Sequence, residues 1–131
     1  MGLKLLVVDD SNVIRNKISR TLSVANVEVV GTAKNGREAV SMFAKFRPEL
    51  VTMDITMPEM DGIQCIKEVL KLRSDSLILV ISALADKSTA IEALKSGAHG
   101  FLTKPFSDRE LNEAMKELIR GAQETGQMAH G

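Results

Sequence analysis

Three aspartates are the residues of this chain best suited to chemistry, because each stands directly after a short apolar run. Asp9 and Asp10 follow the first run, and Asp54 follows the third. Carboxylates packed close together repel each other and raise one another's pKa unless a cation joins them. A cluster of oxygen ligands without sulfur or imidazole suits Mg²⁺, which binds one or two carboxylates and leaves room for a phosphate oxygen.

Ser82 and Lys104 stand at the ends of two further runs. A lysine adds a positive charge for phosphate oxygens, and a serine hydroxyl can rotate toward a newly arrived anion. Taken singly, each of the five residues is ordinary, since an aspartate at a strand end usually caps a helix or contacts solvent. Their combination at the ends of predicted strands instead favours transfer of a phosphoryl group onto a carboxylate.

Five apolar runs are predicted to be the strands that position these side chains. They are Leu3–Val8, Val27–Thr32, Leu50–Met53, Leu77–Ile81 and Gly100–Thr103. Four of them are rich in Val, Leu and Ile without polar alternation, which is typical of strands buried on both faces of a parallel sheet. Five strands that alternate with helices through short links predict right-handed crossovers and a doubly wound α/β sheet. All strands then end along one edge, where ligands bind.

Amphipathic segments follow the runs and are predicted to be helices. Their apolar residues recur in steps of three or four, with Val13 in the first segment and Ile91 and Leu94 in the fourth. Predicted N-caps are Ser11 or Asn12, Asn35, and Ser107 or Asp108, and predicted C-terminal stops are Gly97 and Gly121. Pro58 and Asp61-Gly62 predict a loop after the third strand. Since the apolar period is lost from residue 122, we expect one domain over residues 1–121 and a flexible tail over 122–131.

The composition narrows the class of protein. A chain of 131 residues with 44% apolar content fits one domain with one core. Lys+Arg and Asp+Glu number 17 each, so no global field favours nucleic acid or an anionic membrane. The single cysteine, Cys65, excludes an internal disulfide and indicates a reduced, cytoplasmic protein, and no apolar run reaches the length of a transmembrane helix.

Four motifs around the strand ends are more specific than the five residues alone. They are Val7-Val8-Asp9-Asp10-Ser11, the run from Val51 to Gly62, Ile81-Ser82-Ala83, and the run from Gly97 to Phe106. Together they resemble the receiver domains of bacterial two-component systems, and among these the single-domain chemotaxis response regulators. The resemblance implies the flavodoxin-like strand order 2-1-3-4-5, which is taken from the family and does not follow from the residues themselves.

The resemblance also implies a role for each site residue. Asp54 would accept the phosphoryl group of a phosphohistidine on a sensor histidine kinase, and Lys104 would pair with that group. The Lys104-Pro105 bond would be cis. Mg²⁺ would be bound by Asp9, Asp10, Asp54 and the backbone carbonyl of Thr56.

Ser82 and Phe101 match the family's switch pair. The Ser82 hydroxyl would turn to the phosphoryl group and Phe101 would move inward, changing the face formed by Asp86–Ser96, the fifth strand and Ser107–Arg120. We expect that face to bind a target such as a flagellar motor switch protein, or a phosphatase. We also expect a monomer that dimerises through this face only when phosphorylated, with no enzymatic activity beyond its own phosphorylation and dephosphorylation.

Four alternatives share these features. The chain would also suit the receiver half of a longer regulator with an output domain, or a phosphorelay intermediate or phosphate sink. A phosphatase or phosphomutase with an Asp nucleophile would carry a second Asp where Thr56 stands. A flavin-binding domain would need small residues to cradle phosphate where Asp9 and Asp10 stand.

Overall fold

Five parallel strands alternate with five helices in the computed structural model, which describes residues 2–22, 26–56, 62–83 and 87–124. The predicted loop residues Pro58 and Asp61, together with Asp86 and residues 125–131 of the expected tail, lie outside the described ranges. In chain order the elements are β1 (Leu3–Val8), α1 (Asn12–Thr21), β2 (Val27–Ala33), α2 (Gly36–Phe46), β3 (Leu50–Met53), α3 (Gly62–Leu72), β4 (Leu77–Ser82), α4 (Lys87–Lys95), β5 (Gly100–Thr103) and α5 (Asp108–Glu124).

The sheet has the order β2-β1-β3-β4-β5, which confirms the expected flavodoxin-like, doubly wound α/β fold. The order reverses between β1 and β3, which pair in register from Leu5 with Leu50 to Val8 with Met53. Core residues of α2, α3 and α4 cover one face of the sheet, and those of α1 and α5 cover the other. The carboxyl ends of β1 and β3 therefore border the crevice at which doubly wound folds bind ligands.

Burial differs between the central and the edge strands. Every residue of β3 and β4 is buried, and β1 is buried from Leu5 to Val8. In contrast, β2 and β5 are mostly half-buried. The expectation that four of the strands are buried on both faces is therefore wrong for β2, because an edge strand has a sheet neighbour on one side only.

Side-chain caps begin three of the helices as the sequence predicted. Ser11 accepts from the amide of Ile14 at the start of α1, and Asn35 accepts from Glu38 at the start of α2. The Ser107 hydroxyl accepts from the amide of Glu110 at the start of α5. Each bond satisfies one of the amides that a helix N-terminus leaves without a partner.

The end of α5 differs from the prediction. Gly121 is predicted to stop the helix, but α5 continues to Glu124, so residues 122–124 of the expected tail are helical. The physical reason is that Ala122 is 5% exposed and packs in the core with Leu118, so the apolar face extends one more turn. Gly97, in contrast, follows α4 with a φ of 118°, as a C-terminal stop requires.

Three apolar residues expected to face the core are exposed. Val13 is 74% exposed, Ile91 40% and Leu94 49%. Only Ala93 is buried in α4, so the helix places small residues inward and large apolar ones outward. Among the described residues no helix has the length and apolarity needed to cross a membrane.

Two glycine-to-alanine variants should change stability in opposite directions. A Cβ at Gly62 would overlap Ile55 Cα and lie 2.6 Å from the backbone oxygen of Asp54, so Gly62→Ala should lower the free energy of unfolding by about 1–3 kcal/mol. Gly121 has nothing within 4 Å of the same position, so Gly121→Ala should raise it by about 0.5–1 kcal/mol. Urea unfolding of both variants measures the two shifts. Destabilisation by Gly121→Ala would contradict a helix that continues past this position.

His99 should make stability depend on pH. Its Nδ1 accepts from the amide of Ile78 at 3.1 Å, and its own amide donates to the carbonyl of Ile78 at 2.8 Å. His99 is exposed overall, but partial burial of its ring lowers its pKa below the usual value. Because the unfolded chain then binds the proton more readily, this contribution to stability is present above about pH 6.5 and is lost as the pH falls below it.

The matched variant for this prediction is His99→Asn, which retains an acceptor in the side chain but does not titrate. Urea unfolding at about pH 7.5 and about pH 5.5 should show a larger loss of stability for the natural chain than for the variant. Equal losses would mean that the bond to Ile78 does not depend on the charge of His99.

Candidate functional site

The acidic residues sit where the central strands end. Beyond β1, the amide of Asp9 continues the sheet by donating to Ala33 O at 3.0 Å, and beyond β3 the amide of Asp54 donates to Val8 O at 2.9 Å. Asp9 is 1% exposed and Asp54 2%, whereas Asp10 is exposed. The strand ends therefore place two buried carboxylates and one solvent-exposed carboxylate in the same crevice.

These carboxylates form one cluster with Lys104. Asp9, Asp10 and Asp54 each offer an oxygen within 4.8 Å of the others. The Lys104 ammonium lies 2.7 Å from Asp9 Oδ2 and 3.3 Å from Asp54 Oδ2. Three negative charges thus face one positive charge, and the all-oxygen donor set fits a hard divalent cation such as Mg²⁺.

The pKa values of two members show how the charges interact. Burial raises the pKa of the Asp9 carboxyl, and the charge of Asp54 adds to this effect, while the Lys104 hydrogen bond only partly offsets it. Burial alone would lower the pKa of Lys104, but its contacts with Asp9 and Asp54 together raise it above its usual value. Lys104 is thus held as a cation between the two acids.

The two buried aspartates are oriented by neighbouring groups. The amide and the hydroxyl of Thr56 both donate to Asp54 Oδ1 at 3.0 Å. The amide of Ser11 donates to Asp9 Oδ1 at 2.9 Å. In each residue one oxygen accepts from its own loop and the other lies toward Lys104, which fixes the rotation of the carboxyl group.

The expected switch residues lie at the other side of this edge. Ser82, the last residue of β4, is fully buried, and its carbonyl accepts from the amide of Lys104 at 2.9 Å. Phe101 in β5 is half-buried and packs against the core under α2, α3 and α4. The bond between Lys104 and Pro105 is cis, as the resemblance implied.

Two basic residues of α1 also contact the site, and the sequence did not single them out. The Arg15 guanidinium donates to the carbonyl of Asp9 at 2.7 Å. The Lys17 ammonium donates to the carbonyl of Phe106 at 2.5 Å, two residues beyond Lys104. No sequence signal distinguishes these side chains from ordinary surface charges on an amphipathic helix.

The comparisons with known proteins agree in the family that they identify. The chain matches the response regulator receiver domain over residues 5–116. Chemotaxis protein CheY of Thermotoga maritima is 43% identical, with 92% of this chain and all of that protein covered. Chemotaxis protein CheY of Bacillus subtilis is 40% identical, with 91% of this chain and 99% of that protein covered.

A longer relative and a solved structure extend the likeness. A protein-glutamate methylesterase/protein-glutamine glutaminase of Archaeoglobus fulgidus is 40% identical over 92% of this chain, but the match covers only 35% of that protein. A chain of the CheX-CheY-BeF3-Mg²⁺ complex of Borrelia burgdorferi superimposes with a TM-score of 0.85 at 28% identity, covering 89% of each chain. The protein therefore belongs to the response regulator receiver domain family, as a CheY-like receiver of two-component signalling.

Proposed function

We propose that the protein accepts a phosphoryl group on Asp54 from a sensor histidine kinase and then binds a downstream target. The observation that carries this proposal is the setting of Asp54, which is 2% exposed, with Oδ1 held by Thr56 and Oδ2 lying 3.3 Å from the Lys104 ammonium. In the transfer, the bond from phosphorus to the donor's nitrogen breaks as a bond to an Asp54 carboxylate oxygen forms. The released imidazole nitrogen carries away the electron pair.

Mg²⁺ is the proposed cofactor, with Asp9, Asp10, Asp54 and the carbonyl of Thr56 as its protein ligands. Bound there, it would supply positive charge for the phosphoryl oxygens in a site whose carboxylates otherwise repel them. Lys104 offers a second positive charge on the side of Asp54 Oδ2. Ser11 and Thr56 keep the carboxylates oriented while the charge on Asp54 increases.

A switch through Ser82 and Phe101 would carry the signal to the surface. The proposal is that the Ser82 hydroxyl turns to the phosphoryl group and Phe101 moves inward, which changes the face of α4, β5 and α5. Phe101 is half-buried, so an inward movement would bury more of its ring, and exposed Ile91 and Leu94 give α4 apolar surface for a partner. A flagellar motor switch protein is the proposed target, and the proposal includes a dimer that forms through the same face only on phosphorylation. The proposed location is the cytoplasm, where the single cysteine, Cys65, would stay reduced.

The residue type and the hydrogen bond of Thr56 favour a receiver domain over a hydrolase. An Asp-based phosphatase would hold its general acid at this position, but the Thr56 hydroxyl donates to Asp54 itself at 3.0 Å. Because the hydroxyl of Thr56 cannot serve as that general acid, the site suits a stored acyl phosphate rather than rapid turnover.

A second candidate function is that of a receiver unit in a longer regulator, or of a phosphorelay intermediate or phosphate sink. It is favoured by the match to about a third of the methylesterase, in which the receiver is one part of a larger protein. The reading frame downstream of Gly131 would distinguish a receiver unit of a longer regulator from a single-domain protein.

Acetyl phosphate and Mg²⁺ should modify the protein at one residue. Intact mass should increase by about 80 Da, one phosphoryl group, and the increase should disappear in Asp54→Asn. The matched control Asp75→Asn changes an aspartate that pairs with Arg73, away from the site, and should be modified like the natural chain. An adduct that persists in Asp54→Asn would refute this acceptor.

Beryllofluoride with Mg²⁺ should alter the face of α4, β5 and α5 through Ser82. Amide hydrogen exchange should change at Ala93 and Phe101 on activation, and Ser82→Ala should suppress these changes. Ser96→Ala is the matched control, since Ser96 Oγ only donates to the carbonyl of Glu92 at the end of α4. Identical changes in Ser82→Ala and the natural chain would exclude this route.

A further inference from the structure

The loop that carries Lys104 is held from the side of α1. Lys17, in the middle of α1, donates from its ammonium to the carbonyl of Phe106 at 2.5 Å, and the same ammonium lies 4.5 Å from the centroid of the Phe106 ring. Phe106 is 4% exposed and belongs to the core between the sheet, α1 and α5. A charge-assisted hydrogen bond to a buried backbone segment is stronger than a neutral one, so Lys17 restrains the loop two residues from Lys104.

Thr21, one turn further along α1, contacts α5 instead of the loop of Lys104. The Thr21 hydroxyl donates to Asp108 Oδ1 at 3.1 Å, and the Asn112 amide donates to the carbonyl of Thr21 at 3.2 Å. These bonds join α1 to α5 and do not reach the segment from Lys104 to Phe106. The contact of Lys17 with the loop of Lys104 is therefore distinct from the contact of Thr21 with α5.

The start of α1 holds the other half of the site. Ser11 caps the helix and donates its amide to Asp9 Oδ1 at 2.9 Å, and Arg15 donates to the carbonyl of Asp9. One helix therefore contacts both the loop of Asp9 and, through Lys17, the loop of Lys104. The resulting ion pair between Lys104 and Asp9 spans 2.7 Å.

We propose that Lys17 is a positioning residue for Lys104 in the phosphorylation of Asp54. Lys17 would not touch the phosphoryl group. It would hold the Phe106 carbonyl so that the Lys104 ammonium stays within reach of Asp54 when the charge on that side chain changes. This inference rests on the proposed function. It makes phosphorylation depend on the contact between α1 and the loop before α5.

The experiment compares the rate of phosphorylation by acetyl phosphate with saturating Mg²⁺ in three variants. Lys17→Met keeps the aliphatic stem but removes the ammonium, and it should slow phosphorylation about tenfold, because small displacements of a reacting group are costly to rate. Lys17→Arg should restore most of the rate, since a guanidinium can also donate to a carbonyl and lie over a ring. Thr21→Val removes the hydroxyl bond to Asp108 in α5 without touching the loop of Lys104, and it should react like the natural chain.

The double variant that combines Lys17→Met with Lys104→Met tests whether Lys17 acts by positioning Lys104 or by stabilising the whole protein. If Lys17 acts through Lys104, adding Lys17→Met to Lys104→Met should cause no further loss of rate. A further tenfold loss in that background, or a rate for Lys17→Met equal to the natural one, would overturn the proposal. Absence of phosphorylation in the natural chain would instead refute the proposed function. Urea unfolding of each variant checks that all five variants are folded at the assay temperature.

Discussion

The structure is organised around one electrostatic constraint, the proximity of two buried carboxylates. Asp9 and Asp54 are almost completely removed from solvent and lie close enough to share a ligand. Lys104 contacts both, and without it the site would hold uncompensated negative charge at low dielectric. Such an arrangement is unfavourable for folding alone, as the raised pKa of Asp9 through burial indicates. In the proposed function this arrangement would serve binding, because a cation and an anionic phosphoryl group would together satisfy charges that the protein by itself leaves unbalanced.

The sheet order is what makes this arrangement available to the chain. Because β1 lies between β2 and β3, the ends of β1 and β3 are neighbours, although 45 residues separate Asp9 from Asp54 in the sequence. Lys104 comes from the far edge strand and reaches the same crevice. The long hydrogen-bonded ladders of the central strands fix the backbone of both aspartates, so only side-chain rotation is left for Thr56 and Ser11 to set.

Most of the sheet and most of the candidate site could be predicted from the sequence. Apolar runs indicate the strands, and the polar residues that end those runs indicate the site. The strand bounds differ from expectation by at most one residue, at Ala33 and Ser82. What could not be predicted depends on tertiary contacts. Gly121 has no neighbour that would end α5, and Ile91 and Leu94 face outward because Ala93 alone fits against the core. The contacts of Arg15 and Lys17 with backbone carbonyls follow from the packing of α1 beside the site, which no periodicity encodes.

The two faces of the sheet contribute to the site in different ways. Arg15 and Lys17 contact it from α1, on the face shared with α5. Ser82 follows Val80 in β4 by two residues, so alternation directs its side chain to the opposite face, where Phe101 also packs. Under the proposed function, positioning of the reacting groups and transmission of the phosphorylated state would therefore use separate layers of side chains. If the proposed function holds, substitutions on the α1 face would change how fast Asp54 reacts without changing the movement of Phe101 that follows.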